Sequence, residues 1–288
     1  MAVYKRNYRA YSGPVRTTAS RWLVITRFSL AEVFGSKVSV VLFTLSLVPM
    51  LLSAVLIYVL NSDTARLLLN MRGPNVLAIN GRFFFGLMVM QGWLALFLTA
   101  WVGPLMVSPD LTNNALPLFL SRPMSRAEYI VGKFSVLGII LSAVTWVPML
   151  MLFGIQAEMS KTPWLGANLF VVPAILLGSL AWIAVLSLLS LAVSAWVRWR
   201  IVATGLTVAM LLIPAGFGQV INVVLRTRYG YLLNAPYLIT LVWTSLFRTP
   251  LPLQNVPVPA AWISLLTACG ISLVLVHRRI QARQVVRG

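Results

Sequence analysis

SPDLTNNALPLFLSRPMSRAEYIVGK, residues 108–133, decides how this chain is laid out. It is the longest polar interruption expected to face the cytosol, and long apolar runs flank it. Ser108-Pro109-Asp110 reads as an N-cap, a proline at the first helical position and an acid in the first turn. Ser125-Arg126-Ala127-Glu128 reads as a capping box that opens the apolar run from Tyr129 onward. Pro123 separates the two predicted helix starts. A membrane protein that presents a structured, charged helix to the cytosol offers a surface to a partner.

Composition makes the membrane reading. Of 288 residues, 59% are hydrophobic and 10% charged, where a soluble domain carries about 25% charged residues. A helix needs about 20 apolar residues to cross a bilayer. Six runs qualify: 38–60, 83–107, 134–156, 169–195, 201–225 and 261–276, the last extendable upstream through 256–259. The expected fold is an all-α integral membrane protein with six transmembrane helices and no second, soluble domain. Cys269, the single cysteine, lies in the last span, so no intrachain disulfide forms. The first apolar run follows a long basic segment and is too long for a signal-peptide core.

The net charge of +18 is an orientation signal rather than a nucleic-acid signature. With the N-terminus inside, most of the 23 Lys and Arg fall on the cytosolic side, among them Arg16, Arg27, Arg122, Lys133, Arg198 and Arg278. Seven, including Arg66, Arg82 and Arg228, fall outside. That bias puts both termini in the cytosol. A basic inner face also suits anionic headgroups, so membrane lipid is an expected partner.

Residues 1–37 read as a basic tail followed, from Arg16, by an amphipathic helix in the inner interface. There Trp22, Ile25, Phe28 and Ser29 alternate with Arg21 and Arg27. A simple extension of the first span is the alternative, but it must carry Arg27, Glu32 and Lys37 out of the apolar core. Residues 38–288 form the six-span domain, with a cytosolic segment at 108–133 and an outer loop at 226–259. Inside that loop, 237–247 is apolar but too short to span, and is expected to be re-entrant or interfacial.

Absences narrow the function. All five acids, Glu32, Asp63, Asp110, Glu128 and Glu158, fall in predicted loops or at interfaces, and His277 is the only histidine. A proton-coupled carrier needs an ionisable relay inside the membrane. An intramembrane hydrolase or a metal-dependent transferase needs clustered acids or histidines. Gly132-Lys133 is the nearest fragment of a phosphate-binding loop, but Ala127 replaces the first glycine and Phe134 the hydroxyl. Gly132 is expected to permit close packing and Lys133 to mark the membrane boundary. The chain is therefore expected to have no enzymatic chemistry, to bind no metal or cofactor, and to draw any energy from another subunit.

The segment from Asp110 through Leu116, Leu120, Ser121, Arg122, Pro123, Ser125, Arg126, Glu128, Tyr129, Gly132 and Lys133 resembles the ABC-2 family of ABC-transporter permeases. Asn113-Asn114 departs from it, since many relatives carry a glycine there. The resemblance implies that this segment is a coupling helix that docks on an ATPase. Asp110, Leu116, Leu118, Arg122, Arg126 and Glu128 would form the docking surface. The bland alternative is a solvated, capped loop whose ion pairs contribute about 0–1 kcal/mol each. The resemblance also implies the connecting helix before span one and an outer helical element before span six. It implies two copies of an ABC ATPase that use ATP and Mg, a second permease subunit in a homo- or heterodimer, and the bacterial cytoplasmic (inner) membrane. No nucleic acid is implied.

In such a permease the second and fifth spans line the path between two protomers. Span five carries Pro214, Gly216 and Gly218 within two turns, followed by Gln219 and Asn222, and a break or hinge is expected there. Gln91 and Thr99 of span two complete the candidate lining. Hydrogen bonding to neighbouring helices is the alternative role for these polar residues. The reading that follows is an exporting permease subunit; a non-transporting membrane scaffold is the alternative.

Overall fold

The computed structural model describes residues 21–62, 64–65, 78–113, 125–160, 163–250 and 256–280. Every regular element among them is helical. Helix α1 (Arg21–Gly35) ends at a bend at Ser36 and α2 (Lys37–Asn61) follows. Helices α3 (Gly81–Val102) and α4 (Pro104–Thr112) continue one another through Gly103. Helices α5 (Arg126–Val144) and α6 (Trp146–Met159) do so through Thr145. The short α7 (Trp164–Asn168) leads into α8 (Val171–Trp196), then α9 (Arg200–Val224). A 3-10 turn (Tyr229–Leu233), α10 (Ala235–Leu246) and α11 (Val258–Arg279) complete the order. Six helical stretches are long and apolar enough to cross a membrane: Lys37–Asn61, Gly81–Asp110, Arg126–Met159, Trp164–Trp196, Arg200–Val224 and Val258–Arg279. They match the six apolar runs in order, and they make the chain a multi-pass membrane protein.

Local chemistry sets the helix ends. Asn80 caps α3 by accepting from Arg82 N at 2.9 Å. The capping box forms as expected: Ser125 Oγ accepts from Glu128 N (3.2 Å) and Glu128 Oε2 accepts from Ser125 N (2.6 Å). It starts the third span eight residues before the apolar run does. The N-cap expected at Ser108 is not there, because Ser108, Pro109 and Asp110 lie inside α4. The reason is tertiary. Ser194 Oγ of α8 accepts from Val107 N (3.1 Å) and Ser108 N (2.9 Å), so those amides need no local cap. The helix begins instead at Pro104, directly after Gly103, where a β-carbon would collide with the Ser190 hydroxyl.

Side-chain bonds define two ends of the bundle. At the α1 end, Ser108 Oγ donates to Val197 O (2.7 Å) and the Arg279 guanidinium lies 5.2 Å from the Trp196 ring centre. At the far end, Asn61 Nδ2 donates to Gln156 Oε1 (2.8 Å) and Arg248 sits 4.5 Å from the Phe170 ring centre. Helices α3, α5, α6 and α8 form the core, and α2, α9 and α11 stand at its margin. Helix α10 is only 12 residues long yet deeply buried. Its Trp243 enters a notch made by Gly92 and Gly178 and donates Nε1–H to Gly178 O (3.0 Å). A β-carbon on Gly92 would stand 2.5 Å from that ring, and one on Gly178 2.8 Å.

Two expectations change. Helix α9 runs without a break through Pro214, Gly216 and Gly218. Proline removes a single ladder bond, which a membrane helix tolerates. Helix α1 is separated from α2 by the bend at Ser36. Its inner face is Ile25, Thr26, Ser29 and Val33, whereas Phe28, expected beside Ile25 and Ser29, points away and is 73% exposed.

Candidate functional site

The chain leaves the α1 end through α4 and returns through α5. Residues 114–124, with Leu116, Leu118 and Arg122, lie outside the described residues. Both roots of the excursion are described, and they are joined by charge.

Asp110, near the end of α4, and Lys133, two turns into α5, form an ion pair of 3.0 Å. The Lys133 side chain is 5% exposed and that of Asp110 17%, so neither charge is fully hydrated. Lys133 Nζ also donates to Ser29 Oγ of α1 at 3.1 Å. The buried Tyr129 hydroxyl donates to Asp110 Oδ2 at 2.6 Å. Three helices thus meet on one carboxylate and one ammonium. Such a pair holds only while both partners are present, because either one alone is a buried, uncompensated charge.

Sequence spacing builds this junction. Tyr129 and Lys133 are four residues apart and share a face of α5. Gly132 lets α1 come close: a β-carbon there would meet Ile25 Cβ and Trp22 O at 3.1 Å. Thr26 Oγ1 lies 3.1 Å from both Gly132 O and Trp22 O, and its one hydrogen is shared between them. This is the packing role expected of Gly132. Lys133, expected only to mark the membrane boundary, is instead a buried ionic partner. A second clamp ties α4 to the 197–199 turn, where Thr112 Oγ1 lies 3.1 Å from Arg198 O. Polar bonds thus tie the two roots to α1, to α8 and to the 197–199 turn, the Thr112 contact being the exposed one.

The remaining docking candidates flank this junction. Glu128 is engaged in the capping box and Arg126 is exposed beside it. The candidate lining residues separate. Gln91 is fully buried; its Nε2 donates to Ser46 O (2.9 Å) and to Val144 O. Val144 O is the carbonyl that Pro148, lacking N–H, leaves without its helical partner. Thr99 is also fully buried and donates to Ala95 O of its own helix (2.7 Å). Both are buried within the chain, and Gln91 bonds to two neighbouring helices there. On α9, Gly216 and Gln219 are exposed, and Pro214 lines an apolar cavity against α11. Gly218 packs on Gly230, where a β-carbon would stand 2.1 Å from Gly230 O. Asn222 Oδ1 accepts from Gly230 N (2.8 Å). These two hold the 3-10 turn.

Sequence reasoning missed Ser29 and Ser194. Ser194 carried no local signal. The signal for the ion pair was present: an acid and a lysine at the roots of one excursion, with Tyr129 one turn from the lysine. No protein-family model matches the chain, and no curated protein matches its sequence.

Proposed function

We propose that this protein is the transmembrane permease subunit of an ATP-driven ABC-2-type transporter that works as an exporter. The observation that supports it is the buried Asp110–Lys133 pair, which binds both roots of the 114–124 excursion to each other and to α1. A solvated loop needs no such anchor, whereas a lever that must move helices does.

In this reading residues 108–133 are the coupling segment, docked on an ATPase through Asp110, Leu116, Leu118, Arg122, Arg126 and Glu128. Helix α1 is the interfacial connecting helix, and α10 is a re-entrant element. Trp243 of α10 meets Gly92, halfway along α3, and the Phe247 carbonyl lies beside Gly81 at the start of α3, which is the path of a helix confined to half a bilayer. The charge bias favours both termini in the cytosol, and the resemblance to ABC-2 permeases implies the cytoplasmic membrane of a bacterial cell. The complex holds two permease subunits and two ATPases. The ATPases bind ATP and Mg, and this chain performs no catalysis of its own. ATP binding closes the ATPases, the docked segments move, and α4, α5 and α1 move as one unit to switch access across the membrane.

The test is affinity capture of the tagged protein from mild detergent, with and without Leu116→Asp/Arg122→Glu. Recovery of an ABC ATPase that the variant loses supports the assignment and the docking surface. Well-folded protein that recovers no ATPase in either form overturns it and favours a membrane scaffold.

A further inference from the structure

Helices α9 and α11 flank a cavity of about 540 Å³, floored by α8 and α10 and closed at the far end by the 3-10 turn. Its walls are Met210, Leu211 and Pro214 on one side and Ile263, Thr267 and Ile271 on the other. On α11 the lining runs from Ala260 to Ser272, a rise of about 18 Å at 1.5 Å per residue. That is about the depth of one leaflet of a hydrocarbon core of about 30 Å. Met210, Ile263 and Ile271 are exposed along the rim, so the groove opens sideways to the surroundings of the two spans.

Its contents follow from its chemistry. Of the three hydroxyl residues in the lining, Ser264 donates its Oγ hydrogen to Leu232 O and Thr267 its Oγ1 hydrogen to Ile263 O, each at 2.7 Å, and Ser272 is the third. An ordered water needs about 2–4 polar partners, and the lining is mostly apolar, with three hydroxyl residues among seventeen. The groove is open at its rim and flanked by exposed apolar side chains, so whatever surrounds the two spans fills it. Hydrocarbon is what remains, and two spans that face lipid deliver it directly.

We infer that the α9–α11 groove binds one acyl chain of a membrane lipid, taken from the leaflet at the far end. The inference does not depend on the chain being a permease. The experiment reconstitutes the full-length protein in phosphatidylethanolamine vesicles that contain a tracer phospholipid with a diazirine in its acyl chain. Irradiation before and after exhaustive detergent exchange is followed by peptide mapping. Before exchange, label is expected on α9, α11 and the exposed face of α2 around Leu51. After exchange, it persists on α9 and α11 and disappears from α2. Ala268→Trp and Met210→Trp, both at exposed lining positions, lower the retained label at least about five-fold, while Leu51→Trp leaves it unchanged. Should one groove variant misfold, the other decides. Label lost from α9 and α11 as fast as from α2 overturns the inference, as does retained label that neither tryptophan displaces. Absence of label in the groove before exchange, the mark of a second protein chain seated there, overturns it too.

Discussion

The first and second spans are built on opposite principles. Helix α2 is the more apolar of the two, yet only 22% of its apolar stretch is buried, against 56% for the span Gly81–Asp110. The second span instead carries Gln91, Gly92, Thr99, Gly103, Ser108 and Asp110, and all six meet another part of the protein or bond within it. Lipid is as apolar as leucine, so apolarity cannot pull one helix onto another inside a bilayer. Close approach at small residues and bonds from polar ones do that work. In the second span the close contacts fall at glycines and the interhelical bonds at polar side chains, set among buried leucines and valines, whereas α2 turns most of its leucines and valines outward.

The largest break in that comparison is expected at the ion pair. Lys133→Met or Asp110→Leu alone leaves one buried charge without its partner, a change that costs about 3–5 kcal/mol in comparable buried pairs. Thermal unfolding in detergent should show either single variant as the least stable of the set. The double variant Asp110→Leu/Lys133→Met removes both charges and should recover most of the loss. A single-variant loss below about 1 kcal/mol would mean that water reaches the pair and that the junction is a surface feature.

Next come the glycines under Trp243. Gly92→Val or Gly178→Val forces the indole out of its notch and is expected to cost about 1–3 kcal/mol. Gly138 and Gly154 have open space where a β-carbon would stand. Alanine there should be neutral or stabilising by up to about 1 kcal/mol, since glycine is the poorer helix former. Equal losses at the two classes of site would show that backbone freedom, not close approach, governs these positions.

Gln91→Met should cost less, about 0.6–2 kcal/mol, the range measured for hydrogen bonds between membrane helices. The same unfolding series reads it. The Pro148→Ala background sharpens it: restoring the N–H gives Val144 O a helical partner, so the Gln91 substitution should then cost less than it does alone.

What the sequence made legible follows the range of each interaction. The six spans were readable because twenty apolar residues are a local property. The capping box at Ser125 was readable because its partners are three residues apart. Ser108-Pro109-Asp110 has the same local look, yet its amide is taken by Ser194, 86 residues away, and the helix starts elsewhere. Lys133 looks like any lysine at a membrane boundary until Asp110 and Ser29 are brought beside it. Gln91 has the composition of a pore residue, and only the fold sets it against the carbonyl freed by Pro148. The shortness of α10 was plain, but its burial depends on two glycines in other helices.

The smallest effect is expected at exposed apolar side chains of the marginal helices. Leu51 of α2 is 65% exposed and Ile213 of α9 67%. Truncating either to alanine replaces a contact with lipid by another contact with lipid, in folded and unfolded states alike. Each should change stability by no more than about 0.5 kcal/mol, the usual range for surface substitutions. The two diverge if the protein pairs with a second permease subunit through its fifth span. In that dimer Ile213 would be packed against protein, and its loss would weaken association as well as folding. A dimer dissociation that shifts with Ile213→Ala and not with Leu51→Ala, read by single-molecule subunit exchange in bilayers, would mark α9 as the face that meets the partner. No shift at either position would leave both helices facing lipid, and a dimer, if formed, would have to use another side of the bundle.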